Sequence, residues 1–116
     1  MAMNKIVTGA HYGLKDWLAQ RITAVIMAVF TLVFLVVWLT SPPMDYGVWA
    51  GVFAPFWMKV LTLLALLSMG YHAWIGLRDI YMDYIKPTSV RLFLEVATIL
   101  ALAGYGIWAV AILWRV

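Results

Sequence analysis

The chain has 116 residues, of which 66% are hydrophobic and 11% charged, and its mean hydropathy is +0.97. Soluble domains carry roughly 45–50% apolar and about 25% charged residues, so this composition excludes a soluble enzyme, a disordered tail and a nucleic-acid-binding module. The net charge of +3 comes from eight Lys and Arg lying mostly at the ends of apolar runs, and there is no cysteine for disulfides, thiolate metal sites or palmitoylation.

In chain order, the residues before the first apolar run include Lys5, Lys15 and Asp16 without a continuous apolar stretch. They predict no cleaved signal peptide, and residues 1–14 read as a short arm of modest order. Residues 22–40, 60–77 and 96–114 are then each 18 to 19 residues without a charge. A hydrocarbon core of about 30 Å needs roughly 20 residues of helix. Inside lipid the backbone must satisfy its own hydrogen bonds, so each run is predicted to be a transmembrane helix. The spans are placed at about residues 20–40, 56–85 and 90–114 of one membrane domain covering 1–116. Ser41-Pro42-Pro43 marks a sharp exit from the first helix, and the uncharged aromatic stretch 46–53 predicts a short interfacial segment. Lys86-Pro87 stops the second span, because proline lacks a donor and pushes its predecessor out of the α region.

Lys5, Lys15, Arg21, Arg78, Lys86 and Arg91 lie on one side of this layout, against Lys59 and Arg115 on the other. Six against two predicts an all-α, three-span integral membrane protein with its N-terminus cytoplasmic and its C-terminus periplasmic, in a bacterial inner membrane. Trp17, Trp38, Trp57, Tyr81, Tyr84 and Trp114 fall where aromatic belts belong.

Familiar catalytic motifs are missing: there is no G-x-S-x-G, phosphate-binding loop or HExxH. Chemistry is concentrated in residues 72–87. His72 lies well inside the second span, where polar groups are expensive and usually functional. At 100° per residue, Ala65, Ser68, Gly76, Asp79 and Asp83 fall within about 40° of its direction. That face carries an imidazole flanked by small side chains, which let a planar ligand or another helix approach, and then two carboxylates. Two readings stand: a histidine hydrogen-bonded to a neighbouring helix, or an axial haem ligand. The other spans contain no histidine and His11 precedes the first, so a six-coordinate haem would take its second ligand from another chain. Met27 and Met69 read as gap-filling core residues. Arg21, at the mouth of the first helix, is either a snorkelling anchor or the partner of a haem propionate. Asp79, beside Arg78, reads as an interface salt-bridge residue. Asp83 lies about 16 Å along the helix from His72, at the membrane surface, with the Tyr84 hydroxyl at the same level.

His72-Ala-Trp-Ile-Gly, ten residues between His72 and Asp83, then Asp83-Tyr84-Ile-Lys-Pro87 and Arg91-Leu together resemble the small hydrophobic membrane anchor of succinate dehydrogenase, respiratory complex II. Asp16, Arg21, Val48-Trp49, Phe53 and the run 59–66 support the resemblance, which spans nearly the whole chain. It implies a cytochrome b556-type anchor that shares one haem b with a second anchor subunit and carries an iron–sulfur and a flavoprotein subunit. FAD and iron–sulfur clusters would lie in those partners only. It implies His72 as an axial ligand to the haem iron, Arg21 facing a propionate, Tyr84 hydrogen-bonded to a ubiquinone carbonyl and Asp83 supporting it. Some relatives have a histidine where Lys15 stands here, and His11 is out of register with it. The isolated chain is expected to have no activity. It would serve a complex passing electrons from succinate oxidation, in the tricarboxylic acid cycle, to ubiquinone. The alternatives are the anchor of a quinol:fumarate reductase and, more remotely, a small proton-coupled transporter subunit.

Overall fold

The computed structural model describes the backbone of residues 3–116 and the side chains of residues 13–116. The side chains of His11 and of most of the expected N-terminal arm lie outside the described residues, whereas the backbone of that arm from Met3 on belongs to a helix. Four helices follow one another, α1 (Met3–Leu39), α2 (Tyr46–Phe53), α3 (Phe56–Tyr84) and α4 (Thr88–Leu113), with no strand among the described residues. Three stretches, Gly13–Leu39, Phe56–Tyr84 and Thr88–Leu113, are long and apolar enough to cross a membrane. Their 27, 29 and 26 residues correspond to about 40 Å each at 1.5 Å per residue, so their ends reach beyond a hydrocarbon core of about 30 Å.

The end of α1 follows from its sequence. Pro42 and Pro43 have no N–H to offer the last carbonyls of the helix. The Ser41 N–H instead reaches the Trp38 carbonyl at 3.1 Å, while Ser41 Oγ donates to the Val37 carbonyl at 2.6 Å and Thr40 Oγ1 joins its own N–H on the Val36 carbonyl at 2.8 Å. Asp45 then caps α2, its Oδ1 accepting from the Val48 N–H at 2.8 Å. Helix α2 is the segment expected between the first two spans. It rests on α1 through rings: Phe34 lies 5.8 Å from Trp49 and 6.1 Å from Phe53, within the range of favourable aromatic pairs.

Helix α3 ends at Tyr84, just before Ile85-Lys86-Pro87, and the three-residue turn makes α4 its antiparallel neighbour. Helix α3 is central. It packs against α1 on one side and α4 on the other, whereas α1 and α4 make only marginal contact among the described residues. Its buried residues Met58, Thr62, Ala65, Ser68 and Ile75 recur every three or four positions or at seven, the period of a helix seam. Most large apolar side chains elsewhere are exposed, as suits helices that face lipid.

One end of the bundle gathers the start of α1, the end of α3 and the start of α4. Lys15, Arg21, Arg78, Lys86 and Arg91 lie towards it, against Lys59 and Arg115 at the other. At that second end Lys59 Nζ donates to the Val116 carbonyl at 2.9 Å and lies 5.8 Å from the Trp114 ring centroid. Near the basic end Tyr81 and Thr98 join α3 to α4 through their hydroxyls at 2.9 Å.

Candidate functional site

His72 falls within the seam of α3, between buried Ser68 and Ile75, and is itself partly exposed. Its Nδ1 lies 3.0 Å from Oγ1 of Thr23, a residue of α1 that is 6% exposed. The Thr23 hydroxyl also lies 2.7 Å from the Ala19 carbonyl and 3.2 Å from the Gln20 carbonyl. Two oxygens at 2.7 Å repel unless a hydrogen lies between them, and a carbonyl has none. The single hydroxyl hydrogen therefore goes to the backbone, a common habit of helical threonine. Thr23 is left to accept from an Nδ1–H of His72, which puts the lone pair of the neutral ring on Nε2. Nε2 makes no hydrogen bond among the described residues. The histidine thus does bond a neighbouring helix, and it does so with the nitrogen that leaves the other available as a ligand.

The register between α1 and α3 carries the site towards the basic end. Opposite Thr23 is His72; one turn on, a Cβ added to Gly76 would lie 4.0 Å from Gln20 Nε2; further on, Arg78 pairs with Asp16. Each turn back along α1 is matched by a turn forward along α3, as antiparallel packing requires. The Arg78–Asp16 pair is partly buried, and Asp79 Oδ1 stands 3.9 Å from the same guanidinium. Asp79, read from the sequence as the salt-bridge residue, is thus the secondary partner. It is 56% exposed in its side chain, whereas Asp16 reaches across from α1.

Between the two helices opens a recess of about 450 Å³ lined by Asp16, Trp17, Gln20, Arg21, Ile75 and Asp79. It begins one turn beyond His72. Arg21 is exposed, its guanidinium carbon 5.2 Å from the Trp17 ring centroid, a cation–π pair one turn apart on α1. Gln20 Oε1 is buried without a partner among the described residues. Asp83 and Tyr84, at the last turn of α3, are exposed, Tyr84 by 76%. Arg21 thus lines the recess and His72 does not, while Asp83 and Tyr84 lie beyond it at the end of the helix.

Among the described residues no three His, Cys, Asp or Glu side chains converge to hold an ion. This donor set fits a group that brings most of its own ligands and asks one nitrogen of this chain, as haem does. Sequence reasoning missed Thr23 and the reach of Asp16 to Arg78. The available signal for Thr23 was a hydroxyl in an otherwise apolar run, the residue type that bonds across membrane helices.

The family described as Succinate dehydrogenase/Fumarate reductase transmembrane subunit matches residues 4–113. The chain is 37% identical to the succinate dehydrogenase hydrophobic membrane anchor subunit of Coxiella burnetii over 112 residues, 97% of each chain. It is 25% identical to the subunit so named from Rickettsia felis, over 96% of this chain and 93% of that one, and 31% identical to the one from Rickettsia conorii, over 71% and 66%. Three apolar helices in one row, a partly buried histidine between two of them and a match along nearly the whole sequence agree, and the chain belongs to the succinate dehydrogenase/fumarate reductase transmembrane-subunit family.

Proposed function

We propose that the chain anchors a succinate:ubiquinone oxidoreductase in the membrane, supplies one axial ligand to a haem b shared with a second anchor subunit, and forms part of the ubiquinone-reduction site. The observation that carries this reading is His72. It lies within a span, is held by Thr23 through Nδ1, and keeps the Nε2 lone pair for a ligand. When bound, haem supplies a one-electron redox centre within the membrane. His72 holds that centre from α3, and the second ligand comes from the partner anchor. Arg21, at the lip of the recess one turn beyond, is available to a propionate, and Gln20 offers a second polar group there.

The proposed direction of insertion follows the basic residues: the basic end lies in the cytoplasm and the end holding Lys59 and Arg115 in the periplasm. The exposed pair Asp83 and Tyr84 then faces the cytoplasmic side, where an iron–sulfur subunit, itself carrying the flavoprotein, docks. Quinone reduction takes up two electrons and two protons, so its site belongs beside water. Tyr84 donates a hydrogen bond to a quinone carbonyl there, and Asp83 supports it. The family description also covers fumarate reductase, but the relatives are named for succinate dehydrogenase, which favours the oxidising direction.

The test is the dithionite-reduced optical spectrum of the purified complex carrying His72→Ala. Loss or displacement of the b-type α-band is expected, and an unchanged band would sink the ligand assignment.

A further inference from the structure

We infer that Thr23 is the positioning residue for His72, fixing both the tautomer and the plane of its imidazole. The inference rests on the haem-ligand reading above and deepens it. A histidine presents Nε2 to a metal only if the proton sits on Nδ1, and that proton stays there when an acceptor meets it. Thr23 is such an acceptor because of its backbone. Its hydroxyl hydrogen is committed to the Ala19 carbonyl at 2.7 Å, with the Gln20 carbonyl at 3.2 Å as a second acceptor, so the oxygen turns its lone pairs outward. His72 Nδ1 stands 3.0 Å away on the facing helix. Thr23 is itself only 6% exposed, so water has little access to its hydroxyl.

A threonine has one hydrogen to give and gives it to the main chain, so the pair cannot invert without leaving the 2.7 Å contact to the Ala19 carbonyl unbridged. Turning the ring over would likewise break the 3.0 Å contact between Nδ1 and Thr23 Oγ1. Thr23 thereby does for His72 what a carbonyl or carboxylate does for other metal-bound histidines: it holds the ring and raises the electron-donating power of the opposite nitrogen.

The test uses the assembled complex with Thr23→Val, which keeps the shape and deletes the acceptor, and Thr23→Ser, which keeps a hydroxyl able to bond one turn back. Lost second-sphere partners typically cost roughly 10–100-fold in metal affinity. A tenfold loss felt by ferric but not ferrous haem raises the one-electron midpoint potential by about 59 mV. Thr23→Val should therefore shift the potential upward and move the low-spin ferric resonance, while Thr23→Ser restores both. Wild-type values in Thr23→Val overturn the inference, as do equal shifts in both variants, which would make Thr23 a packing residue. His72→Ala separates the two layers. If it abolishes the haem signal while Thr23→Val is silent, only the role of Thr23 falls. If it leaves the signal unchanged, the ligand assignment falls and takes this inference with it.

Discussion

The pair Arg78–Asp16 offers the most direct test of how α1 is held to α3. The two side chains are 29% and 31% exposed, and Asp79 stands 3.9 Å from the same guanidinium as a weaker second partner. Two unit charges about 4 Å apart attract by about 1 kcal/mol in water and about 4 kcal/mol at an effective dielectric constant near 20. Desolvation removes much of the larger figure. Exposed pairs measure roughly 0.2–1 kcal/mol, and removing one partner of a fully buried pair costs roughly 3–5 kcal/mol. A pair about two-thirds buried, with Asp79 able to take over part of the role, should show a coupling of about 1 kcal/mol, or about fivefold in a rate constant. The assay is a double-mutant cycle of Asp16→Asn and Arg78→Gln, read as the half-life of thermal dissociation of the complex in detergent. Each single variant should shorten the half-life, and the double variant should be no worse than the worse single one. Additive effects, or silent single variants, would refute the pairing as a link between the helices.

Four further outcomes follow from particular contacts. Tyr81→Phe deletes the hydroxyl that meets Thr98, but Thr98 keeps its bond to the Leu94 carbonyl at 2.8 Å; no group is stranded, so the loss of stability should be about 0.6 kcal/mol, as for interhelical bonds in membranes. Gly76→Ala should be almost silent, since the added carbon meets Gln20 at 4.0 Å, whereas Gly76→Leu must displace Gln20 and should cost about 1–3 kcal/mol, read by the same dissociation assay. Asp45→Ala removes the cap of α2 and should weaken that helix by about 1 kcal/mol, visible as faster amide exchange over Tyr46–Phe53. Tyr84→Phe should impair quinone reduction while succinate oxidation by an artificial acceptor continues; unimpaired quinone turnover would remove Tyr84 from the site.

The apolar runs made the three long helices legible, because a charge-free stretch of that length has no other stable form in lipid. Proline and its neighbours made the ends legible too, at Ser41-Pro42-Pro43 and Lys86-Pro87. The face of α3 that turns inward was legible in part. Ala65 and Ser68, placed beside His72 by the 100° step, are buried, but Asp79 and Asp83 on the same stripe are exposed, because the stripe runs out of the packed region before the helix ends. The partner of Arg78 was not legible. Asp79 adjoins it in sequence, but successive residues on a helix point about 100° apart, and the closer carboxylate comes from Asp16 on another helix. Such a contact depends on the register of α1 against α3, which no pattern within either helix states.

The placement of α3 explains why the polar side chains are where they are. Of the three long helices it is the least apolar by mean hydropathy and the most enclosed, flanked by α1 and α4. A histidine on α1 or α4 would have lipid on most sides and few protein groups to satisfy its second nitrogen. On α3 it finds Thr23 across the seam. The helix that pays for polarity in hydrophobicity recovers it in shelter. The same geometry limits what one chain can do. With three helices in a row and α1 and α4 scarcely touching, the chain does not close on itself around His72; if His72 holds haem as proposed, a six-coordinate iron would take its second ligand from another subunit.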